Sequence, residues 1–308
     1  MYRIGIDLGG TNIAAGVVDE GQHIVAEVSL PTGAERPAEA VVADICRAAE
    51  KAMEKAGITA AHCASVGIGS PGTCDSANGV VVRAYNLGWF NVPVCSMVTA
   101  RLGLPCHLSN DANCAALAET VAGAAVGCRN MMLITLGTGV GGGIIVDGRI
   151  VSGLGGAGGE PGHSLLVLDG EPCTCGRRGC WEVYASATAL IRQGREAAAA
   201  HPTSLLNRYP ELTGRDVFDA ADAGDEAAQA VLERYYVYVA AGITDLVNIL
   251  SPEMVLIGGG ISRQGERLLR PIRRYVAANC FGGAKRLQPV IQAAQLGNEA
   301  GIIGAAAL

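Results

Sequence analysis

One histidine and three cysteines stand in the order His163-x9-Cys173-x-Cys175-x4-Cys180, the last three within the stretch CTCGRRGCWE at 173–182. Thiols this close leave three readings: a disulfide clasp, a redox couple or a metal knuckle. A redox couple favours Cys-x-x-Cys, and strain disfavours a disulfide between cysteines one residue apart. One imidazole and three thiolates complete a four-coordinate shell, the usual arrangement of a structural zinc. Such a zinc has no open position, so it would clip a loop in place rather than act as the catalyst. Arg177 and Arg178 either offset the charge of three thiolates or are solvated loop charges. The remaining eight of the 11 cysteines are scattered singly. In a reducing compartment they read as small buried hydrophobes or inert thiols.

A second set of residues could hold phosphate. The chain has 43 glycines, clustered in short runs such as DLGGTN (7–12), LGTGVGGG (136–143) and IGGG (257–260). A Walker-type loop needs Gly-Lys before Ser or Thr, and none of the three lysines follows a glycine. Gly137, Gly139 and Gly142 spell GxGxxG, but the following GIIVDG reads as a strand, whereas a dinucleotide fingerprint must open a helix. An ordinary hairpin turn also stays open. The better reading pairs the first two loops, with Gly9, Gly10, Thr11 and Asn12 in one and Thr138 and Gly139 in the other, gripping a triphosphate through backbone N–H groups. Asp7 would hold Mg²⁺ through water. Gly258, Gly259 and Gly260 would let an adenosine lie against the backbone.

Carboxylates form the third set. Asp111, in SNDAN at 109–113, opens an alanine-rich helix. It is either an N-cap or a general base for a hydroxyl, and the residues alone leave both open. Glu160, in GGEPGH, is a solvated loop charge unless a ligand uses it.

The elements that must position these groups follow from the apolar pattern. Strands are expected at 3–8 and 13–19 around a glycine turn, with a third at IVAEVSL, a helix from Pro37 to about Ala56 with Val41, Ile45, Ala48, Ala52 and Met53 on one face, and a buried strand at SVGIGSPG. MMLITLGTGVGGGIIVDG repeats the opening theme of strand, glycine turn and strand, which suggests an internal duplication. Residues 184–200 and 215–250 read as helices, and MVLIGGG as a strand ending in glycines. A helix, a strand near 288–294 and a short terminal helix close the chain.

Composition narrows the function. With 308 residues, 50% of them apolar, the chain can build two cores. A net charge of −6 argues against nucleic acid as partner, and no run of 18 apolar residues suggests a membrane span. The N-terminus lacks the pattern of a signal peptide, so a cytoplasmic protein is expected.

DLGGTN, LGTGVGGG and IGGG together resemble the phosphate and adenosine motifs of the sugar kinase, actin and chaperone ATPase superfamily. More narrowly, from IGIDLGGTN through GEPGH to GNEAGIIGAA, nearly the whole chain is similar to the ROK family of repressors and sugar kinases, and within it to the bacterial glucokinase type. The resemblance implies an α/β, two-domain actin-like ATPase (ribonuclease H-like) fold with an interdomain cleft that closes on the sugar. The domains would be 1–111 plus 297–308, small, and 112–296, large, with the zinc knuckle and a dimerisation surface. It implies Asp111 as catalytic base, and Asn110, Asp111, Glu160, His163 and Glu182 as sugar ligands. Asn86, in YNLGW, and the turn 69–72 match sugar-pocket segments more loosely, and Thr73-Cys74 departs from the family's usual pair. The zinc ligands His163, Cys173, Cys175 and Cys180 match residue for residue. The implied reaction moves the γ-phosphoryl of ATP, with Mg²⁺, to the 6-hydroxyl of glucose or a related hexose, in a homodimer. N-acetylmannosamine, fructose and allose are alternative substrates. A ROK repressor would carry a helix-turn-helix before the first phosphate loop, which here begins at Asp7.

Overall fold

A computed structural model describes all residues, Met1–Leu308. Packing divides the chain into two compact units. The first comprises Met1–Arg129, Gly143–Gly159 and Gln295–Leu308; the second comprises Asn130–Gly142 and Glu160–Ala294.

The first unit opens with β1 (Tyr2–Leu8), β2 (Asn12–Val18) and β3 (Ile24–Pro31), then α1 (Ala38–Lys55), β4 (Cys63–Ser70), β5 (Thr73–Asp75), β6 (Val80–Ala84), β7 (Trp89–Val92), α2 (Val94–Leu102), β8 (Cys106–Asn110) and α3 (Asp111–Val121). β1 and β2 form the expected antiparallel hairpin, and β4 and β8 add in parallel, giving the order β3-β2-β1-β4-β8. Val41, Ile45, Ala48, Ala52 and Met53 line one face of α1, as their spacing predicts, and all are buried in the core built on this sheet. β5, β6 and β7 form a separate three-stranded sheet that the sequence reading did not separate from loop.

The second unit begins with β9 (Met131–Leu136), followed by β10 (Val140–Val146), which runs into the first unit at Gly143, and β11 (Arg149–Ile150). α4 (Glu182–Ala185), α5 (Ala187–Ala200), α6 (Gly214–Asp222), α7 (Glu226–Leu250), β12 (Met254–Gly258), α8 (Glu266–Asn279) and β13 (Val290–Ala293) follow. The sheet order is β11-β10-β9-β12-β13, with β9, β12 and β13 parallel. Each sheet thus runs third, second, first, fourth, fifth strand in chain order, the topology a duplication leaves.

Two expected helices are broken, each by a cap. Ser186 accepts the Ala189 N–H and starts α5 anew, and Gly224 (φ 89°) with the N-capping Asp225 separates α6 from α7. Last comes α9 (Ala300–Ala306), whose Ile302 and Ile303 are buried against β2 and α3. Because α9 packs on α3, the division by packing falls at Arg129, and not at 111.

Candidate functional site

In the first unit, pairing brings the chemistry to one sheet edge. Asp7 on β1 lies opposite Gly69 on β4, which lies opposite Ser109 on β8, with Ser70 opposite Asn110 beyond. These are the carboxyl ends of parallel strands, where open α/β sheets bind ligands. The turn after Asp7 is held from the side: Thr32 Oγ1 donates to the Gly9 carbonyl at 2.7 Å, and the Thr32 N–H to the Thr11 carbonyl at 2.8 Å. Thr11 and Asn12 are exposed. Asn86 lies beside this turn, its Nδ2 3.4 Å from where a Cβ on Gly10 would stand.

The N-cap of α3 is Asn110, not Asp111. Asn110 Oδ1 accepts the N–H groups of Ala112 (2.9 Å) and Asn113 (3.3 Å), while its Nδ2 donates to the Gly72 carbonyl at 3.1 Å. Asp111 is thereby the first helical residue, and its carboxylate accepts the Ala112 N–H at 2.8 Å, with its own N–H and the Asn110 side chain as lesser partners. Burial pushes the Asp111 carboxyl up, opposed chiefly by the Ala112 N–H. Burial first, and the Asp111 charge second, push Asp7 up to about 6. Two half-buried carboxylates therefore oppose each other's ionisation, and a cation beside them would relieve both.

In the second unit, His163, Cys173, Cys175 and Cys180 converge. Their ligand atoms all lie within 4.8 Å of one another. His163 Nδ1 is 3.8 Å from Cys173 Sγ, and Cys175 Sγ is 3.6 Å from Cys180 Sγ. Ligand atoms around a tetrahedral zinc are roughly 3.6–3.8 Å apart for Zn–S and Zn–N bonds of ordinary length. The four residues fit that ion. The Arg177 N–H, ahead of the neighbouring thiols, draws the exposed Cys175 thiol below its usual range. Arg177 also donates to the His163 carbonyl at 3.3 Å, which makes it a brace for the loop. Of the eight scattered cysteines six are buried, and no cysteine is in a disulfide, as read from the sequence.

The knuckle is anchored through Trp181, which the sequence reading passed over. It is fully buried; its indole N–H donates to the Tyr238 carbonyl at 2.8 Å and its backbone N–H to the Ser164 carbonyl at 2.8 Å. A large aromatic between a ligand cysteine and an acid was the available signal. Glu160 is exposed, ahead of the single 3-10 turn Pro161–His163. That turn lies on the glycine hairpin: a Cβ on Gly162 would stand 2.1 Å from the Val140 carbonyl oxygen. Thr138 is exposed at the hairpin tip. Gly259 has φ 81° and leaves no room for a Cβ against Leu136, whereas Gly260 faces open space.

The sequence matches the ROK family over residues 3–308. The chain belongs to the ROK family. It is 40% identical to a glucokinase of Streptomyces coelicolor, covering 99% of this chain and 96% of that protein. It is 37% identical to a glucokinase of Halalkalibacterium halodurans, covering 98% and 93%. Among solved structures, a ROK family glucokinase from Streptomyces griseus in complex with glucose and AMPPNP superposes with a TM-score of 0.82 at 39% identity, covering 100% of this chain and 98% of that one. The fold is the two-domain actin-like ATPase fold shared by ROK glucokinases.

Proposed function

We propose that this ROK protein is an ATP-dependent hexokinase that transfers the γ-phosphoryl group of ATP to the 6-hydroxyl of glucose. The observation that carries the reading is the pairing of Asn110 and Asp111: Asn110 caps the helix, which relieves Asp111 of the capping role and leaves its carboxylate half-buried at the carboxyl edge of parallel strands. The similarity to glucokinases over nearly the full length supports glucose as substrate.

In this reading Asp111 accepts the proton of the attacking hydroxyl, the task of the catalytic aspartate in kinases. Burial raises its basicity, which favours that role at neutral pH. Asn110, whose amide donates to the Gly72 carbonyl and also faces the Asp111 carboxylate, is a sugar ligand in this reading. Asn86 stands beside Gly10 as a further sugar contact. His163 turns Nδ1 toward the thiols, leaving Nε2 for the sugar, while Glu160 and Glu182 present carboxylates to neighbouring hydroxyls. Gly9, Gly10, Thr11, Asn12, Thr138 and Gly139 supply phosphate contacts, and Gly260 an open backbone for adenosine.

Asp7 would hold magnesium through water; when bound, that ion neutralises charge on the phosphates. His163, Cys173, Cys175 and Cys180 would hold zinc as a structural clip. No helix is long and apolar enough to cross a membrane. By its likeness to the ROK kinases we propose a cytoplasmic homodimer.

The test is ADP release with ATP and Mg²⁺ across glucose, mannose, fructose, allose, N-acetylglucosamine and N-acetylmannosamine. Preference for glucose is expected. Preference for another sugar would keep the kinase and replace the substrate; no release with any sugar from zinc-loaded protein would overturn the kinase reading.

A further inference from the structure

Glu182 faces two ways within the second unit. Its Oε2 accepts the Val140 N–H at 3.0 Å, and its Oε1 lies 3.9 Å from Cys173 Sγ on the knuckle. The space at Gly139 is taken by this carboxylate: a Cβ there would stand 2.2 Å from Oε2. The absence of a side chain at Gly139, read above only as part of a phosphate grip, is thus required by Glu182. The same turn is held a second time, since the Ala187 N–H donates to the Gly137 carbonyl at 2.9 Å. Both ends of the turn 137–140 therefore hang from the segment 182–187, which continues directly from Cys180 and the buried Trp181.

We infer that Glu182 is a positioning residue for the phosphate turn as well as a sugar ligand, and that it couples sugar occupancy to nucleotide affinity. The coupling rests on the hexokinase reading above; the positioning role does not. With Oε2 on the Val140 N–H, that donor is withheld from phosphate, so Glu182 shapes the turn rather than contributing charge to it. A carboxylate can accept about four hydrogen bonds. A sugar hydroxyl on Oε1 therefore need not displace Val140; it fixes the carboxylate, and through it the turn. The sign of the coupling is positive, and by linkage nucleotide must tighten sugar equally.

The experiment is calorimetric titration of the zinc-loaded full chain with MgADP, with and without saturating glucose, alongside steady-state kinetics. Wild-type protein should bind MgADP more tightly with glucose. Glu182→Ala should weaken sugar-free MgADP binding about tenfold, the scale of one lost hydrogen bond to a charged group, and abolish the response to glucose. Glu182→Gln keeps an acceptor for the Val140 N–H, so it should restore sugar-free MgADP affinity while the KM for glucose stays raised. A residue that only binds sugar would not produce that split. Gly139→Ala, which evicts the carboxylate without changing it, should reproduce the nucleotide defect and serves if Glu182→Ala fails to fold. Sugar-free MgADP affinity equal to wild type in Glu182→Ala, or in Gly139→Ala if that variant alone folds, would overturn the positioning role. A wild type that phosphorylates no hexose would overturn the hexokinase reading and the coupling, while the sugar-free comparison would still decide the positioning role.

Discussion

Asp7→Asn should make the magnesium-free protein more stable while removing its activity. Asp7 lies one residue before the end of β1, its carboxyl pushed up from 3.8 to about 6, by burial first and by Asp111 second. At 1.36 kcal/mol for each tenfold change, that rise disfavours the ionised form in the folded chain by about 3 kcal/mol. The sign follows from linkage. A folded-state value above the unfolded one means that the folded chain holds the proton more tightly, so its contribution to stability is complete below 3.8 and is lost as pH rises through about 6. Asparagine keeps the shape and has no charge to desolvate. The variant should therefore gain up to about 3 kcal/mol near pH 8, and the gain should fade between about pH 6 and 4, where Asp7 itself takes a proton.

Urea unfolding of both proteins without magnesium or nucleotide, at several pH values across that window, reads the difference directly. MgATP binding and turnover, measured in parallel, should be lost in the variant. A gain that does not change with pH, or a loss of stability near pH 8, would refute the argument from burial. Turnover near that of the wild type would refute Asp7 as the magnesium holder.

Three other outcomes are expected. Asp111→Asn should lower kcat at least about a hundredfold, the ordinary worth of a general base, with glucose binding still measurable; near-normal turnover would remove Asp111 as base. Freshly purified protein should carry about one zinc per chain, and Cys175→Ser should lose it and weaken sugar binding before nucleotide binding; metal analysis that finds no zinc in the wild type would end the knuckle assignment. Glu119 is buried and accepts the N–H groups of Ala124 (2.8 Å), Gln295 (2.8 Å) and Leu296 (2.9 Å), so Glu119→Ala strands three donors. It should cost about 3 kcal/mol or more in thermal or urea unfolding, and a loss under about 1 kcal/mol would show that water replaces the carboxylate.

The glycine hairpins and the metal cluster were legible because their signals are local. A hairpin needs its turn residues in one short stretch, and three of the four residues of the His/Cys cluster fall within eight residues. The duplicated sheet order was foreshadowed by the second hairpin alone. The sheet of β5, β6 and β7 was not, because its strands are only three to five residues long. Whether Asp111 caps α3 or serves as a base stayed open in the residues: Asn and Asp are equally good caps, and only the three-dimensional path shows that Asn110 leaves the strand extended, at ψ 149°, and turns its amide onto the helix. Resemblance singled out Glu182 as a candidate sugar ligand, but its bond to Val140 was not legible. That contact spans 42 residues and uses a backbone N–H, which leaves no mark on the sequence of either partner except the glycine at 139.

The two sheets share an order but not a charge, and the difference has chemical content. Where the first sheet places Asp7 opposite Gly69, the second places Thr135 opposite Gly258. Where β8 runs out into Asn110 and Asp111, β13 ends at Ala293. One copy of the duplicated frame therefore collects the carboxylates and the other keeps small, uncharged residues at the matching strand ends. Two acids on one edge, the charge of Asp111 helping to raise Asp7, call for a cation, which suits a magnesium holder beside a base. A strand end free of carboxylates suits the approach of a polyanion through backbone N–H groups, which is how a chain with three lysines, none after a glycine, can hold a nucleotide. On this argument Thr135→Asp, which would give the second sheet the acid of the first, should weaken MgADP binding more at low than at high ionic strength, because the added effect is electrostatic and screened. Equal weakening at both would show that Thr135 acts through packing, and that the charge difference between the copies has no part in nucleotide binding.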